Sequence, residues 1–437
     1  MGCAGNVDVK TPTLDALAAG GVRLSHCFAN NPVCCPSRAS MFTGTYPITH
    51  RVVSNDLPVR TDLPTLGTVL RDAGYRTGYI GKWHLDGVPR RKFTPPGERR
   101  LGFDHYWAVF NCAHDYFNTR YFHDTDELIR REGYEPQIQT DLALGFLDHA
   151  KQREEPFALV LSWGPPHDPY PQVPQPYRDM YDPASITLPP NVQPQAMNPL
   201  ARRLECRRTI ADYYAAVTAL DDQLARLVQK LEELSLTDET LVVFTSDHGD
   251  MLWSHGWMKK QAPYDESVRV PMILRGPGAT GGRVTDTLFG LIDLTPTLLG
   301  LMDIPGPSTI QGVDLSASIR AESGAHQPQA LLIANQHSCD EAAVQSMPEW
   351  RGVRTHRYTY VENGPSQPWL LFDNEQDPYQ LHNRVNDREL RVERAALSQQ
   401  LAELLRASGD AFLGGEPLLD WLDLREAWNH RNQFINA

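Results

Sequence analysis

Apolar residues in the first three quarters of the chain switch between a helical period and short unbroken runs, the pattern of helices interleaved with buried strands. Leu14, Leu17 and Ala18 share one face, with Thr11 and Pro12 as start signals and Gly20-Gly21 as the stop, which predicts a first helix. Leu66, Val69 and Leu70 predict another that ends near Gly74, and Tyr79-Ile80 reads as a short strand leading into Lys82 and His84. Phe157 to Trp163 and Leu241 to Thr245 are continuous apolar runs of strand length. Between them, Ile210, Tyr213, Val217, Leu220, Leu224, Leu227 and Leu231 lie on one stripe and predict a long amphipathic helix.

The order strand, helix, strand implies an α/β fold with a largely parallel sheet between helices. In such sheets ligands bind beyond the carboxyl ends of strands. The polar clusters Lys82/His84, His167/Asp168 and Asp247/His248 each follow a predicted strand, so three loops are expected on one rim. From about residue 326 the pattern shortens to strands from Ala330 to Ala334, Arg354 to Val361 and Leu370 to Asp373, then a helix around Leu390 to Leu405. This predicts a catalytic domain over residues 1–325 and a smaller C-terminal α+β subdomain over 326–437. Residues 165–199 are rich in proline and read as a surface excursion. The tail after Gly415 carries Leu418, Leu419, Trp421, Leu422, Trp428 and Phe434, a set that either covers the parent fold or forms a homo-oligomer contact.

A chain of 437 residues can bury a large core. Its formal charge of −13 excludes nucleic acid and anionic membrane as main partners, because those contacts need clustered Lys and Arg. A small anion is still allowed, since a few inward cations can make a pocket locally positive. No apolar run reaches the roughly 18–20 residues of a membrane span, and Met1 is not followed by a charged-then-apolar leader, so the chain as given reads as cytoplasmic. Seven scattered cysteines suggest no disulfide framework and fit a reducing compartment.

The candidate chemistry begins at Cys34. Cys34-Cys35-Pro36-Ser37-Arg38 runs on through Thr43-Gly44, with Pro36 suited to a first helical turn and Gly44 to a helix end. A cysteine at a helix start sits where free amides and the helix dipole favour an anion. This stretch resembles the signature of the type I sulfatases of the alkaline phosphatase superfamily, in which the first cysteine is oxidised to formylglycine. Thr11 to Val22, Gly81-Lys82-Trp83-His84-Leu85, Pro166-His167-Asp168-Pro169, Thr245-Ser246-Asp247-His248-Gly249 and Tyr264 to Pro271 are similar to further blocks of that family, in family order.

The resemblance implies an alkaline-phosphatase-like fold and hydrolysis of small-molecule sulfate esters. A hydrated formylglycine from Cys34 would attack sulfur, then expel sulfate by re-forming the aldehyde. It implies that Arg38 orients this group and that Asp247, His248 and the residue at 34 hold a divalent metal, Ca2+ first, with Mg2+ or Mn2+ as alternatives. It places Lys82, His84, His167 and Lys260 around the sulfate, with His167 to protonate the leaving oxygen and His84 to help release sulfate. It also implies a formylglycine-generating maturation enzyme as a partner. Lys260 is preferred over Lys259 by its spacing from Tyr264, and His255 is a further pocket candidate. Arg269 and Glu266 read as a structural pair, and the aromatic cluster from Tyr106 to Phe122 reads as core, with His114 and Asn118 within it as candidates for substrate contact.

Alone, Asp247-His248-Gly249 could be an ordinary turn, and a single cysteine an ordinary buried residue. Gly276 to Gly281 matches Gly-x-Gly-x-x-Gly but opens no apolar helix, so it reads as a loop. Cys-x5-Arg of the cysteine phosphatases is absent, because Ser40 and Met41 occupy the required positions. Two other readings remain at this stage: a phosphonate monoester or phosphodiester hydrolase of the same superfamily, and a non-catalytic anion-binding relative. One departure bears on both. Sulfatases carry an N-terminal strand with paired aspartates ahead of the region that here starts at Met1-Gly2-Cys3, so the expectation is a start downstream of the native one, weakened metal affinity and an unpaired sheet edge.

Overall fold

Local signals and distant partners together set the helices in the computed structural model, which describes residues 1–192 and 199–435. The helix Pro12–Gly20 starts at the predicted Thr11, yet the Thr11 side chain caps nothing. Its hydroxyl accepts from the Gly2 amide instead. The first-turn amides of Thr13 and Leu14 donate to Asp221 at 2.9 and 2.8 Å, so a carboxylate on the long helix Pro199–Glu233 supplies the cap. The helix Leu66–Asp72 does carry its own capping box, Thr65 with Thr68.

The strands are β1 (Val22–Leu24), β2 (Cys27–Phe28), β3 (Arg76–Lys82), β4 (Tyr106–Phe110), β5 (Asn118–His123), β6 (Leu128–Glu132), β7 (Phe157–Ser162), β8 (Val242–Thr245), β9 (Met272–Arg275), β10 (Arg283–Thr285), β11 (Phe289–Gly290), β12 (Leu331–Asn335), β13 (Trp350–Arg354), β14 (Tyr358–Glu362) and β15 (Pro368–Asp373). One sheet has the order β6-β5-β4-β3-β7 and a second the order β10-β1-β9-β8. Strands β4, β3 and β7 are parallel, whereas β4-β5, β5-β6, β8-β9 and β9-β1 are antiparallel. The sheets are therefore mixed rather than largely parallel, because short returns after β4 and β5 reverse the chain without a crossover helix.

Among the described residues β7 pairs only with β3 and β8 only with β9, so the two sheets face each other through unbonded edges. Between those edges lies a cavity of about 1550 Å³, walled by β7, β8 and Leu220, Leu224, Leu227 and Leu231 of the long helix. At one end it reaches Arg38, Lys82, His167, Asp247 and His248.

Strands β12 to β15 form an antiparallel sheet in chain order, backed by the helix Arg391–Ser408 through Leu397 and Leu401. The single strand expected from Arg354 to Val361 is instead the end of β13 and most of β14. A turn closed by the Thr355 amide on the Tyr358 carbonyl at 2.9 Å separates them. The tail forms two helices, Gly415–Trp421 and Arg425–Ile435. Its Leu418, Leu419, Leu422 and Leu424 are buried with Cys35, Phe42, Tyr79 and Trp83, so the tail covers the parent fold and shields the underside of the Cys34–Thr43 helix. Each such leucine contributes about 1.5–3 kcal/mol by burial. Trp421 and Phe434 stay exposed. The aromatic cluster is largely core, with Phe117 its exposed member.

Candidate active site

Residue 34 opens the helix Cys34–Thr43, which Gly44 ends in a left-handed conformation at φ 63°. The side chain is buried, yet it faces cations. His248 Nε2 lies 3.2 Å from Cys34 Sγ, and Lys82 Nζ donates to it at 3.5 Å. Burial pushes the thiol up, but Lys260, Lys82 and His248 outweigh burial and hold its pKa well below the ordinary value. The neighbouring Cys35 behaves oppositely, its pKa raised by burial. Adjacent cysteines thus divide into one stabilised as an anion and one packed as core.

Beneath residue 34, Arg38 is held at four points. Its Nε donates to Asp247 Oδ2 at 2.8 Å, and its Nη1 to Ser162 Oγ at 2.8 Å, the Lys82 carbonyl at 3.0 Å and Tyr79 OH at 3.3 Å. Asp247 is buried, which would raise its pKa, but His248 and Arg38 hold it down at about 2. Ser37 Oγ also donates to the Asp247 carbonyl at 2.5 Å, which fixes the loop after β8 to the helix carrying Cys34. Gly249 follows closely packed, since a Cβ there would lie 2.0 Å from the Glu266 carbonyl.

Cys34 Sγ, an Asp247 oxygen and a His248 nitrogen lie within 4.8 Å of one another. His248 Nδ1 donates to the Gly249 carbonyl at 2.8 Å, which orients the ring so that Nε2 faces Cys34. Arg38 occupies Asp247 Oδ2, so Oδ1 remains for a ligand. A carboxylate, an imidazole nitrogen and the group at 34 fit a divalent cation.

The opposite wall is basic. Lys260 Nζ lies 2.6 Å from His167 Nε2, and His167 Nδ1 lies 3.0 Å from Asp168 Oδ1. Burial and Lys260 lower the His167 pKa, but Asp168 and Cys34 raise it above the ordinary value on balance. Lys259 points to Asp168 instead, Nζ to Oδ2 3.1 Å, so the two adjacent lysines serve opposite ends of one imidazole. His84 sits behind Lys82 with Nε2 3.0 Å from Asp56 Oδ1, and its buried Nδ1 makes no hydrogen bond. Burial lowers its pKa, but Cys112, Cys35 and Asp56 raise it well above the ordinary value.

The structure therefore brings Cys34, Arg38, Lys82, His167, Lys260, Asp247 and His248 to one end of the slot, with His84 adjoining. His255 goes elsewhere, stacking on Tyr264 at 4.0 Å between ring centres. Arg269 pairs with Asp265 at 3.7 Å rather than with Glu266, which bonds Asn191. Sequence reasoning missed Asp56, Arg90, Ser162 and the role of Asp168. Of these only Asp168 carried a signal, its place in Pro166-His167-Asp168-Pro169. His114, a substrate-contact candidate from the sequence along with Asn118, stacks on His167 at 4.4 Å with rings 3° apart.

A hydrolase that handles a small anionic group is the class that fits these elements: a buried cysteine favoured as an anion, three donor side chains grouped beside it and inward lysines. The comparisons make it specific. The sulfatase family's sequence pattern matches residues 1–304, and the N-sulphoglucosamine sulphohydrolase C-terminal pattern matches residues 253–407. An ulvan-active sulfatase of Formosa agariphila is 36% identical over 419 residues, 94% of this chain and 79% of that one. An N-acetylglucosamine-6-O-sulfatase of Bacteroides thetaiotaomicron is 26% identical over 92% of this chain and 83% of its own. A Bacteroides fragilis crystal structure named for the sulfatase YidJ superposes with a TM-score of 0.84 at 30% identity, covering 94% of this chain and 93% of that one. The chain belongs to the sulfatase family and is a sulfuric ester hydrolase with the alkaline-phosphatase-like fold. The family works with a metal and a formylglycine.

Proposed function

We propose that this sulfatase cleaves carbohydrate sulfate esters through a formylglycine made from Cys34 by a maturation enzyme, beside a cation held by Asp247, His248 and the residue at 34. The supporting observation is the surroundings of Cys34: a position otherwise buried among core residues is ringed by Lys82, Lys260, His167 and His248 and anchored through Arg38 and Asp247. The carbohydrate half rests on the relatives named for ulvan and N-acetylglucosamine 6-sulfate.

The aldehyde at 34 hydrates to a geminal diol. One hydroxyl would give up its proton to water as its oxygen attacks sulfur and the sulfur–oxygen bond to the sugar breaks, and the leaving oxygen would take a proton from His167, whose Nδ1 is steadied by Asp168. Lys82 and Lys260 hold the sulfate oxygens. The second hydroxyl then gives up its proton, the carbon–oxygen bond to sulfate breaks and the aldehyde returns. His84 in its neutral form, with Nε2–H on Asp56 and Nδ1 unbonded, would take that second proton. When bound, the cation would polarise a sulfate oxygen and lower the pKa of the attacking hydroxyl. Ca2+ is the proposed ion, with Mg2+ and Mn2+ as alternatives. Three donors leave about half or more of a six- to eight-coordinate shell to water, substrate and oxygens entering from the slot, with which the site is continuous.

The test is side-by-side kinetics of converted protein on 4-nitrophenyl sulfate, sulfated glycans and a phenyl phosphonate ester, with and without chelator. The reading predicts chelator-sensitive sulfate release from both sulfates and slower phosphonate cleavage. Faster phosphonate cleavage, or no sulfate released from any glycan, would overturn it.

A further inference from the structure

The last helix of the chain, Arg425–Ile435, lies beyond both ranges matched by the family patterns, which end at residues 304 and 407. One of its side chains nevertheless reaches the support of the active site. Arg431 is 5% exposed and points back into the catalytic domain. Its Nη2 donates to Asp340 Oδ1 at 2.8 Å and its Nε to the Asn55 carbonyl at 3.0 Å, with Asp56 Oδ2 3.8 Å away. Asn55 Nδ2 also donates to Asp340 Oδ2 at 2.7 Å, so Arg431, Asp340 and Asn55 close a ring. Trp428 lies under the guanidinium at 4.4 Å.

The ring is joined to the site on two sides. Asn55 Oδ1 accepts the Cys35 amide at 3.2 Å, and the Asp56 amide donates to Cys35 Sγ at 3.2 Å, so residues 55 and 56 grip the first turn of the helix that presents residue 34. On the other side, Asp56 Oδ1 meets His84 Nε2 at 3.0 Å, while Arg90 bonds both Asp56 oxygens at 2.7 and 2.6 Å. Asp56 stands at φ 64°, a left-handed conformation that an aspartate keeps only when its surroundings hold it. Arg90 holds the Asp56 carboxylate. Arg431 holds the backbone between Asn55 and Asp56 and is the ion-pair partner of Asp340 among the described residues.

We propose that Arg431 is a positioning residue for sulfate-ester hydrolysis, acting through Asn55 and Asp56 on both the first turn of the Cys34 helix and the His84 ring. The tail helix is then part of the catalytic apparatus. This rests on the reading that residue 34 is the nucleophile and His84 moves a proton. The tail is anchored independently by Leu418, Leu419, Leu422 and Leu424, so removing the guanidinium leaves its main apolar attachment in place.

The experiment compares Arg431→Met, Arg431→Lys and Arg425→Ala with the parent, all converted at residue 34 to a measured extent. Among the described residues Arg425 pairs only with Glu416 and Asp420, at the surface, and it serves as the control for tail packing. Arg431→Met should lower kcat about tenfold or more while KM stays within about twofold, the mark of a misplaced catalytic group rather than lost binding. Arg431→Lys, or millimolar guanidinium added to Arg431→Met, should recover part of the loss, and Arg425→Ala should keep the parent kcat. A crystal structure of Arg431→Met reads the geometry without any turnover and should show His84 and residues 55–56 displaced. Unchanged kcat, an equal loss in Arg425→Ala, or an undisturbed His84 to Asp56 contact would overturn the proposal. If the parent itself hydrolyses no sulfate ester, the functional reading fails, and the crystal structure still decides whether Arg431 sets this geometry.

Discussion

Replacing Arg38 by Met removes the charge that joins the helix of residue 34 to the loop after β8 while keeping most of the side chain's bulk. The change deletes bonds to Asp247, Ser162, the Lys82 carbonyl and Tyr79, and Arg38 and Asp247 are only 10% and 15% exposed. Breaking a buried ion pair by removing one partner costs about 3–5 kcal/mol, because the remaining charge stays desolvated. His248 and Lys82 still lower the Asp247 pKa, so the low end, about 3 kcal/mol, is expected. Asp247 would also be less firmly oriented for its proposed role as a metal ligand. Equilibrium urea denaturation of the parent and Arg38→Met gives the stability difference, and Ca2+ titration followed by calorimetry gives the affinity. Arg38→Lys should fall between, since it keeps the charge but loses the planar fork. A Met variant within about 1 kcal/mol of the parent and binding cation equally well would refute the reasoning, because the pair would then carry no net stabilisation.

Acid stability should track His50, whose buried ring bonds Ser40 Oγ and the Val52 amide and whose pKa burial lowers from 6.5 to about 3. The unfolded chain takes up this proton below pH 6.5 and the folded one only near pH 3, so the contribution is present above pH 6.5 and lost as pH falls toward 3. The difference is worth at most about 4–5 kcal/mol, and His50→Gln should flatten the stability curve across that window; an unchanged slope would contradict this. Gly249→Ala should destabilise by about 1–3 kcal/mol or more and lower kcat, because its Cβ would meet the Glu266 carbonyl next to Asp247 and His248; melting temperature and kcat read both. Leu419→Ala, fully buried under the Cys34 helix, should cost about 2–5 kcal/mol by urea denaturation, and a surface-like loss below about 0.5 kcal/mol would show that the tail does not pack there.

The parts of the site that were legible in the sequence are those whose signals are local. Pro36 and Gly44 bracket the Cys34 helix, and apolar runs end within a few residues of Lys82, His167 and Asp247, so strand-end logic placed these loops on one rim. What stayed hidden depends on partners far along the chain. Asp221 caps a helix more than 200 residues away, and Asp56, Arg90 and Arg431 meet around His84 from three separate segments. Polar residues in loops carry no period, so nothing in Ser54-Asn55-Asp56 marks its role. Strand direction was equally invisible, because it follows from the length of each connection and not from apolar spacing. The split of Arg354 to Val361 into two strands came down to one turn at Thr355, His356 and Arg357, where no Gly or Pro gives warning.

The most direct test of the central claim is the rate of sulfate release plotted against the fraction of protein carrying an aldehyde at residue 34, measured by mass spectrometry over preparations from hosts with graded amounts of maturation enzyme. A straight line through the origin, with Cys34→Ala inactive at every level, is the predicted result. A rate independent of the aldehyde fraction, or turnover surviving in Cys34→Ala, would contradict it.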